Sequence, residues 1–127
     1  MNTAATVEGT ALRQPRILLV DDDEVNLLLT GVALRERGFT VREASGGRAA
    51  LAMLADWSPD VLVLDAVMPG LDGFRTCAVL RDLPGFELLP VLMLTGLDDE
   101  VSIARAFDAG ATDFFVKSHH WSLLAGR

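Results

Sequence analysis

The 127-residue chain predicts a doubly wound α/β fold, a five-stranded parallel sheet with helices on both faces. Three observations predict it. Short apolar runs of strand length alternate with longer stretches of helical patterning, the order of successive βαβ units. Turn and cap residues separate these segments. Four of the apolar runs also end on a residue able to do phosphate chemistry: RILLV leads into Asp21, Asp22 and Asp23, VLVL into Asp65, VLML into Thr95 and FFV into Lys117. An open parallel sheet forms its ligand site outside the carboxyl ends of its strands, so these groups are expected along one edge.

Residues 16–20 are apolar, partly β-branched and too few for a helix, which predicts a buried first strand. From Asp23 the pattern becomes helical, with Val25, Leu28, Leu29 and Val32 at helical spacing. Asp23 and Glu24 suit the positive end of that helix, and Gly38 lies where it should stop. Residues 40–44 form the second strand. A helix over residues 47–57 follows, with Leu51 and Leu54 inward, and Ser58-Pro59 ends it before a third strand at 61–64. Pro69, Gly70, Asp72 and Gly73 mark a turn-rich loop before a third helix from 74 to about 81. Pro84-Gly85 and Pro90 close that region, and residues 91–94 form strand four. A helix from 98 to about 109, with Val101, Ala104 and Phe107 facing the core, ends at Gly110. Residues 114–116 are strand five, and SHHWSLLAGR begins a fifth helix. Five strands so connected favour the flavodoxin-like order 2-1-3-4-5, whose switch point lies between strands one and three.

Half of the residues are hydrophobic, enough for one domain with its own core, over residues 16–127 behind a mobile leader at 1–15. The net charge of −7 argues against nucleic acid and anionic membrane as direct partners. Cys77 is the sole cysteine, which excludes an internal disulfide and suits a reducing cytoplasm. No apolar run approaches the ~20 residues of a membrane span, and the leader lacks the pattern of a secretory signal.

Carboxylates gathered at strand ends repel one another, which either raises a pKa or recruits a cation. Mg²⁺ fits, because it takes oxygen ligands, keeps several waters and commonly sits between carboxylates and phosphate. Thr95 and Lys117 add a hydroxyl and an ammonium for the remaining phosphoryl oxygens. Asp65, alone at its strand end, is the expected nucleophile, since aspartate forms acyl phosphates. Each residue also has a plainer role: Asp23 as a helix cap, Asp65 as a turn residue, Thr95 and Lys117 as structural or solvated groups. The coincidence of four strand ends favours the chemical reading. His119 and His120 are adjacent and lack ligand spacing, Cys77 reads as a packing residue, and Trp57 and Trp121 as covers of core edges.

With these residues in place, the chain resembles the receiver domain of two-component response regulators over nearly all of residues 16–124. ILLVDDDEVN matches the family's acidic first-strand motif, VLVLDAVMPGLDG its phosphoacceptor loop, VLMLTG its hydroxyl-bearing strand end and AGATDFFVKS its lysine region. The resemblance implies Mg²⁺ ligation by Asp22, Asp65 and the backbone carbonyl of Val67, with Asp21 close by and acting partly through water. It also implies phosphorylation of Asp65 by a histidine kinase or phosphotransfer protein, phosphate binding by Thr95 and Lys117, and a switch coupling Thr95 to Phe114. A homodimer through the face built by the fourth helix, fifth strand and fifth helix is a further implication.

The chain departs from the family at Ser118, where Pro is usual, and at Phe114, whose ring lacks a hydroxyl and must switch through burial. Val67 and Leu97, two places after Asp65 and Thr95, are expected to slow hydrolysis of phosphoryl-Asp65. Residues 117–127 resemble the KPxxWxLL stretch of receivers joined to cyclic-di-GMP domains, so an output domain beyond the chain end is expected. Two rival functions remain at this point. One is a haloacid-dehalogenase-like phosphatase, with Asp21 as nucleophile and Asp23 as acid–base; no acidic pair after Lys117 and little room for the rest of that core oppose it. The other is a receiver-like binding module that is never phosphorylated.

Overall fold

The computed structural model describes residues 13–96 and 100–116. Five strands and four helices alternate among the described residues: β1 (Arg16–Val20), α1 (Glu24–Glu36), β2 (Thr40–Ala44), α2 (Gly47–Met53), β3 (Val61–Asp65), α3 (Gly73–Arg81), β4 (Val91–Thr95), α4 (Glu100–Asp108) and β5 (Asp113–Val116). The strands form one parallel sheet in the order β2-β1-β3-β4-β5. This is the flavodoxin-like order predicted. β1, β3 and β4 are buried on both faces, and that explains their unbroken apolar runs. β2 and β5 lie at the edges and expose several residues.

Two apolar layers flank the sheet. On one face Leu18, Val20, Leu62, Leu64, Val91 and Met93 pack with Ala50, Phe74, Cys77, Leu80 and Ala106 from α2, α3 and α4 and with Leu54 just past the end of α2. On the other, Ile17, Leu19, Val41, Val63 and Leu94 meet Leu27 of α1. Cys77 is fully buried, and burial pushes its thiol pKa up, in keeping with a packing role. Trp57 is buried too, with the guanidiniums of Arg42 and Arg16 4.8 and 5.7 Å from its ring.

Residues 13–15 are tied across the starts of three strands. Arg13 pairs with Asp60, Gln14 accepts from the Thr40 hydroxyl, and the Thr40 N–H donates to the Pro15 carbonyl. The Arg16 N–H donates to Asp60 at 2.7 Å, and with Arg13 this holds the Asp60 carboxyl below its ordinary pKa.

Helices α1 and α4 form near the places predicted but turn different faces to the core. The recurring Val25, Leu28, Leu29 and Val32 of α1 point outward, Val25 and Leu28 being 61% and 60% exposed. Leu27, Thr30, Gly31 and Ala33 are buried instead. Small residues make up much of this stripe, and a Cβ on Gly31 would meet the end of the Glu43 side chain, 2.6 Å from its Oε2. Arg35 fixes the rotation by pairing with Glu43 at 3.1 Å and donating to the Val41 carbonyl at 2.9 Å. In α4 the predicted inward Val101, Ala104 and Phe107 are exposed, Val101 by 71%, while Ser102 and Ala106 face the sheet. Arg105 lies 4.1 Å from the Phe74 ring, and Phe107 meets Phe114 edge-on at 5.7 Å, so contacts to α3 and β5 set the rotation of α4. Helix α2 ends at Met53, four residues earlier than predicted, although Leu54 and Trp57 remain buried. Among the described residues, no helix is long and apolar enough to cross a membrane.

Candidate functional site

The site begins where β1 and β3 run out. The Asp21 N–H donates to the Ala44 carbonyl at 3.1 Å, so the ladder with β2 extends one residue and holds the Asp21 backbone. Its carboxylate accepts from the Asp23 N–H at 3.0 Å, which fixes the turn. Asp23 itself caps α1, accepting from the N–H groups of Val25 and Asn26, and is not part of the three-carboxylate cluster. This is the plainer of its two roles, and it leaves the acid–base assignment of the phosphatase reading without support.

Asp65 is the last residue of β3, and the next N–H, that of Ala66, donates to the Leu94 carbonyl at 2.8 Å. Adjacent strand ends therefore fix both acidic stretches. Asp21 and Asp65 are each 4% exposed and Asp22 is open to solvent, yet carboxylate oxygens from all three lie within 4.8 Å of one another. At that spacing two ionised carboxylates repel by a few kcal/mol at an effective dielectric near 20. Such a set of hard oxygen donors, two walled in and one reaching water, fits a divalent cation that retains part of its hydration shell.

Thr95 ends β4 and is buried, one step beyond Leu94, the residue that pairs with Asp65. Val67 follows in the loop from β3 to α3 and is exposed. Phe114 of β5 is half-buried against Phe107. The structure thus gathers Asp21, Asp22 and Asp65 in one cluster and sets Thr95 on the adjoining strand. Lys117, Leu97, Ser118, His119, His120 and Trp121 lie outside the described residues.

The loop over residues 66–72 closes back on the strand that precedes it. The Gly73 N–H donates to the Ala66 carbonyl at 2.9 Å. Asp72, predicted only as a turn residue, is the N-cap of α3 and accepts from the Arg75 N–H, while the Thr76 hydroxyl donates to the Asp72 carbonyl at 2.7 Å. Sequence reading missed this closure. Its signal was a glycine directly after a capping Asp, at the helix start, where propensity argues against glycine.

Fold and site define a small doubly wound α/β domain with three carboxylates gathered at its switch point, close enough together that they could hold a metal ion. Comparison with known proteins gives the family. Residues 17–125 match the response regulator receiver domain, and the chain belongs to that family. It is 41% identical over 102 residues to the response regulator PleD of Caulobacter vibrioides, which covers 80% of this chain and 22% of that protein. It is 32% identical over 113 residues to the transcriptional regulatory protein AfsQ1 of Streptomyces coelicolor, covering 89% and 49%. The chemotaxis protein CheY4 of Vibrio cholerae superposes with a TM-score of 0.80 at 29% identity, over 87% of this chain and 93% of that one. The chain spans between about a fifth and a half of the length of these two curated relatives. It is a receiver domain of the two-component response regulator type.

Proposed function

We propose that Asp65 accepts a phosphoryl group in a Mg²⁺-dependent reaction and that Asp21, Asp22 and Asp65, with the Val67 carbonyl, hold the cation. The convergence of three carboxylates within 4.8 Å at the ends of β1 and β3 carries this reading. Bound Mg²⁺ would offset the carboxylate charge and share the phosphoryl oxygens. A carboxylate oxygen of Asp65 attacks phosphorus, the new O–P bond forms as the bond to the donor's leaving group breaks, and an acyl phosphate results. Thr95 and Lys117 receive the other phosphoryl oxygens through a hydroxyl and an ammonium. The donor is a histidine kinase or phosphotransfer protein, in the cytoplasm.

The domain assists its own phosphorylation and dephosphorylation without turning over an external substrate. Phosphorylation draws Thr95 inward, and Phe114 on the neighbouring strand responds, altering the surface of α4 and β5. An attached output domain, as in relatives much longer than the matched region, reads that surface, either directly or through a homodimer. Exposed Val67 borders the path of attacking water and slows hydrolysis of the acyl phosphate.

Intact-mass spectrometry after treatment with acetyl phosphate, with and without Mg²⁺, tests the proposal. The expected result is one phosphate adduct that requires Mg²⁺ and vanishes in Asp65→Asn. Labelling that survives in Asp65→Asn and is lost in Asp21→Asn would transfer the nucleophile to Asp21. No adduct under any condition would leave a binding module that is not phosphorylated.

A further inference from the structure

Helix α3 starts unusually close to the strand end that carries Asp65. A Cβ built on Gly73 would overlap the Asp65 carbonyl oxygen and lie 2.7 Å from Ala66 Cα and 2.9 Å from the Asp65 carbonyl carbon. All three are backbone atoms. A side chain in the way could rotate aside, but a strand end held in a ladder moves only by straining or breaking its hydrogen bonds. The Ala66 N–H is bonded to Leu94, and the Ala66 carbonyl accepts from Gly73 itself.

The other end of the same loop is fixed by a second close approach. At Gly47, the first residue of α2, a Cβ would overlap the Thr76 hydroxyl and lie 2.8 Å from the Leu71 carbonyl oxygen. Thr76 in turn donates to Asp72, the cap of α3. The loop is therefore clamped between its own strand and α2.

The geometry points to Gly73 as a positioning residue for the phosphoacceptor and its cation, an inference that rests on the function proposed for Asp65. Gly73 lies within a helix, where alanine is intrinsically the better residue. What glycine supplies is the absence of a side chain against the Asp65 backbone. An added methyl group must displace either α3 or the end of β3. The first pulls on the loop that carries Val67, through the bond from the Gly73 N–H to the Ala66 carbonyl, and the second moves Asp65 itself, while Asp21 and Asp22 stay anchored on β1 by the bond from the Asp21 N–H to Ala44. A cluster whose oxygens lie within 4.8 Å tolerates little such movement before it stops sharing one cation.

The test compares Gly73→Ala with wild type and with Val91→Ala, which opens the core at the opposite end of β4 from the site. Three quantities are read: Mg²⁺ affinity by calorimetric titration with Mg²⁺ alone, the Mg²⁺ dependence of labelling by acetyl phosphate, and folding by circular dichroism and urea titration. The expected result is a folded Gly73→Ala protein whose Mg²⁺ affinity and labelling rate fall at least tenfold, while Val91→Ala loses stability and keeps wild-type Mg²⁺ affinity. A folded Gly73→Ala protein with wild-type Mg²⁺ affinity would overturn the inference. So would one that fails to fold, since the contact would then serve the fold as a whole, and so would an equal loss of affinity in Val91→Ala. Wild-type protein that neither binds Mg²⁺ nor takes up phosphate defeats the underlying function, a result separate from any behaviour of the variant.

Discussion

Three aspartates stand side by side in the sequence, and the structure gives each a different task. Asp21 is buried and braced by the turn, Asp22 reaches solvent beside it, and Asp23 caps α1. The difference follows from chain direction. Beyond the last paired residue of β1 the backbone turns into a helix, so the two-sided alternation of the strand ends and each successive side chain takes a new direction. Replacing Asp23 by Ala removes a cap worth about 1 kcal/mol, and a urea titration should show a loss of that size. Labelling of Asp65 should persist in the same variant. A loss of labelling with the fold intact would return Asp23 to the site.

Among the elements, α1 best shows what periodicity leaves open. Val25, Leu28, Leu29 and Val32 share one stripe, but Leu27, Thr30, Gly31 and Leu34 share another at the same spacing, and the second packs on the sheet. Both stripes predict a helix and neither predicts its rotation. The small residues of the second stripe and the reach of Arg35 to Glu43 and Val41 decide it. Truncating buried Leu27 to Ala should therefore cost roughly 2–5 kcal/mol, whereas Leu28→Ala should stay within about 0.5 kcal/mol of wild type. Equal losses in the two variants, read from urea midpoints, would contradict the rotation described. Helix α4 follows the same logic, since Ser102 and Ala106 are smaller than the Val101 and Phe107 that the pattern favoured.

At the scale of the whole molecule, the cation binding proposed for the acidic cluster would be linked to stability, because a ligand of the folded state alone shifts the unfolding equilibrium by mass action. Mg²⁺ at a hundred times its dissociation constant should add about 2.7 kcal/mol and raise the melting temperature by on the order of 10 °C. Scanning calorimetry with and without Mg²⁺ checks this, and Asp65→Asn should lose most of the rise. An undiminished rise in that variant would place the cation elsewhere. The strands, their order and the carboxylates at their ends were legible in the sequence, because a buried parallel strand must be an unbroken apolar run and its end is where polar chemistry resumes. The loop from β3 to α3 was legible as a turn, but its closure through Gly73 and the capping by Asp72 were not. Among the described residues, sequence alone therefore determined which strands and helices exist, how they connect and which carboxylates meet at the edge of the sheet. Tertiary structure alone decided which helix faces pack inward and how closely α3 approaches Asp65, because both depend on how side-chain volumes from distant segments fit against one backbone.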